Sequence, residues 1–389
     1  MKVLHVITGL GVGGAELQLR SLLRHTRHES DVVTLYNRGP VADMIEADGV
    51  RVRDLGMTRN TELSALSRLY RMIRAGRYDV VHAHLYRSQI YGRLAARLAR
   101  TPVVLTTEHS IGETHLERRR MTAGVRALYL ATDLCSQATI AVSDTVRDRL
   151  VKWGVPARKI RMIPNGLEFD RVAFDPDARA RVRRELAIAQ DCQVIGVLGR
   201  LDPNKRFDLV IEAAAPLLTG GRRLLIVGDG DDRARLEQTA ARCGVTDRVV
   251  FAGVRHDVAA MLSAMDLFIA SSEQETFGLS VLEALANGLP ALYTTCPALI
   301  GVETDRARQV PGEAVAMRAH IAEELAAGRR SDKPVDAVQE RYGMAAVAAQ
   351  IDFLYEQLLA GRRGVPAARR EFDRLGGADP VARAEEAEV

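Results

Sequence analysis

Short apolar runs alternate with amphipathic stretches along the chain, and the alternation predicts strands and helices in turn. Val3-Leu4-His5-Val6-Ile7 is the first run, and 31–36, 79–84, 102–107 and 139–143 follow. Runs this short, bounded by turn residues, read as the buried strands of a parallel sheet. Between them Leu17, Leu19, Leu22 and Leu23, and then Leu63, Leu66, Leu69 and Ile73, recur at helical spacing, with Gly76 closing the second helix. The turn Pro164-Asn165-Gly166 and a polar, arginine-rich helix over 175–186 separate this half from a second cycle. There strands are predicted at 193–198, 224–227, 249–255, 266–270 and 290–293, with a helix over 208–218. A final helix is predicted over 342–359, striped by Val347, Ile351, Leu354 and Leu358. Alternation of this kind builds α/β domains around parallel sheets. The predicted division is an N-terminal domain over 1–168, a C-terminal domain over 169–341, a helix over 342–362 crossing back to the first domain, and a charged tail over 363–389. That tail is alanine-rich and poor in large apolar residues, and it reads as a frayed helix or a disordered segment.

The length of 389 residues suits two domains of ordinary size. A net charge of +4, with arginines scattered rather than gathered with aromatics, argues against a nucleic-acid partner. Cys135, Cys192, Cys243 and Cys296 form no CxxC, so neither zinc nor a disulfide framework is indicated. A reducing cytoplasm fits that usage. The first apolar run is too short for a signal peptide, and no run approaches membrane-spanning length.

The polar chemistry gathers at the carboxyl ends of predicted strands, where open α/β sheets bind ligands. The first strand runs into Gly9-Leu10-Gly11-Val12-Gly13-Gly14-Ala15-Glu16, which satisfies GxGxxG at Gly9, Gly11 and Gly14. A dinucleotide site should place an acid at the end of strand two, but Asn37 and Arg38 stand there. Arg38 keeps an NADP-dependent oxidoreductase open; a tight turn without a ligand is the plainer alternative. His84 and His109 each end a strand, a place for a structural hydrogen-bonder or for a ligand contact. In the second half Arg200 and Lys205 share one strand-end loop. A fixed guanidinium and a flexible ammonium together suit a diphosphate, although most such cations are only solvated. Gly228-Asp229-Gly230 permits a close turn near a nucleoside. After the strand at 266–270 comes a polar loop holding Glu275. A helix with Leu279, Leu282 and Leu285 follows, carrying Glu283 and ended by Gly288 and Pro290. Phe277, Gly278 and Leu279 offer backbone N–H groups at its start, where the dipole favours an anion. Two carboxylates beside such a helix start suit a ligand bearing hydroxyls as well as phosphate, a sugar nucleotide for instance. Two solvated glutamates on an amphipathic helix are the other reading.

The order of these motifs resembles family 4 of the retaining glycosyltransferases, members of the GT-B class. That class has two facing Rossmann-like α/β domains, parallel sheets and a deep interdomain cleft. Glu275 and Glu283 match the family's Glu-X7-Glu signature, with Phe277-Gly278-Leu279 between them, and the likeness extends over roughly 1–359. It implies transfer of a sugar, with retention, from a nucleotide diphospho-sugar to a hydroxyl of a glycan, a lipid-linked saccharide or a small metabolite. It implies Glu275 at the donor sugar, Glu283 on the ribose, and Arg200 and Lys205 on the diphosphate, where they stabilise the departing charge. Gly13 and Gly14 belong to a loop that faces the donor diphosphate or the acceptor. Thr107-Glu108-His109 fits the family's Thr-X-His motif, which puts His109 at the sugar. The turn after 249–253 lies at the base, which nominates Val254 and Arg255. Glu16, His84 and Arg118 fall on the acceptor side. The charged stretch 111–126 reads as a mobile loop entering a helix; in relatives it lines that side too, sometimes at a membrane surface, or else it is a solvated helix face. The inner face of the membrane is thus the alternative to the open cytoplasm. No metal is implied, because cations and a helix start do the neutralising and no Asp-X-Asp stands at a strand end. The chain departs from the family at 296–303, where relatives carry a Gly-rich turn and a Pro-Glu pair. A nucleotide-sugar epimerase of the same fold, the NADP oxidoreductase and a non-catalytic nucleotide-sugar binder are the competing classes.

Overall fold

The structure, a computed structural model, describes residues 1–362 apart from 60, 114, 117 and 118. The tail over 363–389 and Arg118 lie outside the described residues. The chain divides into two compact units, Met1–Gly166 with the chain from Met344 onward, and Leu167–Gly343.

The first unit holds β1 (Lys2–Ile7), β2 (Glu29–Thr34), β3 (Arg51–Asp54), β4 (Val80–His84), β5 (Val103–Glu108), β6 (His115–Leu116), β7 (Arg119–Arg120), β8 (Ala138–Ala141) and β9 (Ile160–Met162). Seven of these form one sheet in the order β3-β2-β1-β4-β5-β8-β9. All its pairings are parallel, while β6 and β7 pair antiparallel by themselves. The stretch expected over 111–126 as a loop entering a helix does lead into the helix Ala123–Asp133, and that small ribbon lies ahead of it. The strand β3 escaped the pattern because only Val52 of its four residues is buried, so it lacks an apolar run. His5 of β1 stands opposite His82 of β4, and His84 opposite Thr107 of β5. Strand alternation therefore puts His5, His82, His84 and Thr107 on one face. The helix Met344–Arg362 covers that face, packing Val347, Ile351, Leu354 and Tyr355 against Val3, Leu105 and Ile140. It begins two residues later than expected, because Asp336–Tyr342 is a separate helix and Gly343 bridges to Leu167.

The second unit holds β10 (Gln193–Leu198), β11 (Arg222–Val227), β12 (Val249–Gly253), β13 (Leu267–Ala270), β14 (Ala291–Tyr293) and β15 (Ala307–Gln309). They lie parallel in the order β12-β11-β10-β13-β14-β15. Ile195, Val197, Leu224, Ile226, Leu267 and Ile269 form its core with Val210 and Ile211. The edge strand β15 also lacks a buried run, which is why the apolar pattern missed it. The helix expected over 208–218 resolves into Phe207–Ala214 and a tight turn at Ala215–Leu217, since Pro216 has no N–H to continue the ladder.

Both sheets reverse their strand order at the same place, between β1 and β4 and between β10 and β13. Such a reversal opens a crevice beyond the carboxyl ends of the two strands, the usual ligand site of this Rossmann-like architecture. The glycine loop and His84 follow the first pair; Arg200, Lys205 and Glu275 follow the second. Among the described residues no helix is long and apolar enough to cross a membrane.

Candidate active site

In the second unit the loops after β10 and β13 are sewn together. Asp202 caps the turn Pro203–Lys205 by accepting from the Asn204 N–H at 3.0 Å. The Asn204 amide donates to the Gln274 carbonyl at 2.9 Å and accepts from the Gln274 N–H at 3.1 Å. The Glu273 N–H donates to the Asn204 carbonyl at 2.9 Å, and the Ser271 hydroxyl donates to the Lys205 carbonyl at 2.7 Å. The result is a direct ion pair, Lys205 Nζ to Glu275 Oε1 at 2.6 Å, with the two side chains 24% and 18% exposed. Arg200 is exposed on the same loop, and among the described residues no acid pairs with its guanidinium. Asn204 and Ser271 were not legible as site residues; Asp-Pro-Asn signals a turn, and nothing in the spacing shows what the turn grips.

The helix Leu279–Ala286 starts from Gly278, whose φ of 101° suits glycine. A Cβ there would also stand 2.5 Å from Cys296 Sγ. The atypical segment at 296–303 thus backs the helix start. Ala298 N–H donates to the Phe277 carbonyl at 2.9 Å, and the Cys296 thiol reaches the Phe277 and Gly278 carbonyls at 3.7 and 3.9 Å. Burial pushes that thiol up to about 12, so it stays protonated. Phe277 turns its ring into the core against Tyr342, leaving only its backbone for a ligand. Leu279 and Glu283 are half-buried, and loss of hydration pushes the Glu283 carboxyl up to about 7. Gly228 has a local reason to be glycine, because a Cβ would lie 1.9 Å from the Gly199 carbonyl oxygen. Val254 is exposed just past β12. Arg255, the other nominee for a base contact, is already engaged. Its guanidinium donates to Asp257 at 2.8 Å and pairs with Glu185.

In the first unit Gly13 caps the helix Gly14–His25 in an extended conformation. Glu16 folds back over it, since a Gly13 Cβ would meet Glu16 Oε2 at 2.5 Å, and burial raises the Glu16 carboxyl. Gly9 is pressed against the Tyr36 carbonyl, where a Cβ would come within 2.9 Å. Arg38 forms surface ion pairs with Asp43 and Glu46. His84 ends β4, buried, and is followed by Leu85 at φ 73°, a strained backbone for leucine. His84 Nδ1 meets His109 Nε2 at 3.3 Å, so two of the named histidines touch. A cavity of about 30 Å³ beside them is lined by Gln18, Thr107, Asn165 and Met344. Gln18 fastens the end of the unit's first segment, donating to the Gly166 carbonyl at 2.8 Å and accepting from its N–H at 3.0 Å.

Residues 12–171 match the family model described as Glycosyltransferase Family 4, and 178–326 match Glycosyl transferases group 1. A GDP-mannose-dependent alpha-mannosyltransferase of Mycobacterium tuberculosis is 31% identical over 72% of this chain and 74% of its own length. The chain belongs to glycosyltransferase family 4. A D-inositol 3-phosphate glycosyltransferase of Geodermatophilus obscurus is 30% identical over 75% of this glycosyltransferase and 70% of itself. An Escherichia coli UDP-Gal:alpha-D-GlcNAc-diphosphoundecaprenol alpha-1,3-galactosyltransferase is 27% identical over 73% and 76%. Among solved structures, Anabaena Alr3699/HepE in complex with UDP-glucose superposes with a TM-score of 0.79 at 21% identity, over 92% of this chain and all of that one. Sucrose-phosphate synthase of Thermosynechococcus elongatus gives 0.76 at 22% identity, over 93% and 100%. These likenesses place the glycosyltransferase in the GT-B fold, with the motif pairs lying at the two switch points already described.

Proposed function

We propose that this glycosyltransferase moves a sugar from a nucleotide diphospho-sugar to an acceptor hydroxyl with retention of configuration. The ion pair of Lys205 with Glu275, beside Arg200 and the start of the helix Leu279–Ala286, carries the reading. A cation held against a carboxylate at a helix start is prepared for a ligand with phosphate on one side and hydroxyls on the other. Arg200 and Lys205 neutralise the departing diphosphate, and backbone N–H groups at Gly278 complete the cradle. Glu275 orients the donor sugar, and Glu283 accepts hydrogen bonds from the ribose hydroxyls. His109 stands at the sugar; His84 and Glu16 serve the acceptor side. No metal is required, because the two cations Arg200 and Lys205 and a helix dipole supply the charge. Retention is supported by the Glu-X7-Glu spacing, and a diphospho-sugar donor by the GDP-mannose and UDP-Gal in the names of two relatives. The acceptor is a hydroxyl of a glycan, a lipid-linked saccharide or a small metabolite, reached from the cytoplasm or its membrane face.

Glu283 gives the reading a pH signature. A carboxyl raised to about 7 is neutral below that pH, and a neutral acid loses half its acceptor capacity toward a diol. Donor KM is therefore expected to rise as pH falls through about 7, to level below about 6 once Glu283 is neutral, and to level at its lowest value above about 8. The stability linkage has the opposite sense. With the folded pKa above the unfolded one, the contribution is complete below about 4.5 and is lost as pH rises through about 7. Glu283→Gln should give a weak, pH-independent KM. The test is a thermal-shift screen of UDP-, GDP- and ADP-sugars at pH 6 and pH 8, followed by anomeric analysis of the product with the donor that binds. A shift from one donor class, larger at pH 8, with product formed only when acceptor is present, supports the proposal. An inverted product, or donor epimerised without acceptor, contradicts it.

A further inference from the structure

The Lys205–Glu275 ion pair, at 2.6 Å, joins the loops after β10 and β13 in the free enzyme. In the proposed reaction Lys205 turns to the diphosphate and Glu275 to the sugar, so neither any longer holds the other. The two loops then stay in register only through groups that the donor leaves alone.

Asn204, the residue before Lys205, supplies such groups. Its amide nitrogen donates to the Gln274 carbonyl at 2.9 Å, and its amide oxygen accepts from the Gln274 N–H at 3.1 Å. Its own carbonyl accepts from the Glu273 N–H at 2.9 Å. One residue is thus tied to both residues that precede Glu275. The reversed amide would set donor against donor and acceptor against acceptor, so the orientation is fixed by its partners. The turn behind it is held as well. Asp202 accepts from the Asn204 N–H at 3.0 Å. The Ser271 hydroxyl, on a residue 2% exposed, points between the Lys205 and Arg206 carbonyls at 2.7 and 3.0 Å. Arg206 follows at φ 50°, so the chain bends away directly after Lys205.

Asn204 itself is exposed, and bonds between exposed groups add little to stability because water replaces them at small cost. Their effect is geometric. A cation already held in place loses less freedom on meeting a phosphate than one carried by a loose loop.

We propose that Asn204 is a positioning residue that acts through Lys205. Its amide keeps the turn Pro203–Lys205 locked to the Glu275 loop once the ion pair has opened, so the ammonium reaches the diphosphate already aimed. This role rests on the reading that Lys205 holds the donor diphosphate.

The experiment is calorimetric titration of the full chain with UDP, GDP and ADP, each the departing group of one donor class. Wild type, Asn204→Ala, Lys205→Ala and the double variant are compared. One nucleotide is expected to bind wild type. With it, Asn204→Ala should raise Kd about tenfold and Lys205→Ala should raise it further. The double variant should bind within about threefold of Lys205→Ala, because without the ammonium the amide has nothing to aim. The thermal midpoint of free Asn204→Ala should stay within about 3 °C of wild type, since the ion pair still joins the loops.

A wild-type Kd in Asn204→Ala, beside a weakened Lys205→Ala, overturns the proposal and leaves the donor reading standing. So do equal losses from Asn204→Ala in both backgrounds, because a merely structural staple acts whether or not Lys205 is present. A midpoint lower by roughly 10 °C or more likewise makes Asn204 such a staple. Wild type that binds none of the three nucleotides, or Lys205→Ala that binds as wild type does, overturns the donor reading and this role together.

Discussion

Lys205→Ala is expected to lower kcat by about 100- to 1,000-fold, the loss typical of removing one preorganised charge donor from a developing anion. The ammonium stands 2.6 Å from Glu275, on a loop sewn to its neighbour through Asn204 and Ser271, so it is already in place before a donor arrives. Stability should change little, by about 1 kcal/mol, because both partners remain partly hydrated. Lys205→Arg should recover only part of the rate, since a planar fork cannot occupy the ammonium's position against Glu275. Steady-state kinetics set beside chemical denaturation check this. A variant that turns over normally contradicts the diphosphate assignment, and one that merely unfolds shows that the ion pair is structural.

The second large effect belongs to stability, in the buried network that braces β5 ahead of His109. Asp133 is 2% exposed and receives Arg93 at 3.1 Å and Lys159 at 2.6 Å. Arg93 is fully buried, lies 4.6 Å over the Tyr129 ring, and donates to Thr106 of β5 at 3.0 Å. Asp133→Asn keeps the shape and removes the charge, leaving two cations without a counter-ion. Breaking a buried pair in this way costs about 3–5 kcal/mol. The thermal midpoint should fall by roughly 10 °C. Calorimetry of the variant measures it directly, and an unchanged midpoint would show that Arg93 is satisfied by Tyr129 and Thr106 alone.

The parts of this fold that could be read from sequence are those whose physics is local. Strands such as β1 and β10 announce themselves because burial on both faces demands continuous apolar runs. The edge strands β3 and β15 bury one side weakly and carry arginine, so no run marks them. The break before Met344 depends on a bridge from Gly343 to Leu167, and nothing near position 343 reveals a partner so distant in the chain. In the candidate site, spacing and the strand-end loop left Glu275, Glu283, Arg200 and Lys205 open to a solvated reading, and the family resemblance nominated them. That Lys205 grips Glu275 was not legible, because the contact is made by folding. Arg255 looked available in the sequence and proves to be held by Asp257 and Glu185. His5 sits inside an apolar run that reads as plain core; only the register of β1 against β4 brings it beside the other histidines.

The catalytic proposal requires that Arg200, Lys205, Glu275 and Glu283 of the second unit grip one diphospho-sugar. A crystal structure of the enzyme soaked with the donor found in the thermal-shift screen would show whether they do. The diphosphate is expected within hydrogen-bonding distance of Lys205, Arg200 and the backbone at Gly278, with the ribose hydroxyls on Glu283. A nucleotide seated instead on the Gly9–Gly14 loop of the first unit, with Lys205 still closed on Glu275, would be incompatible with that grip.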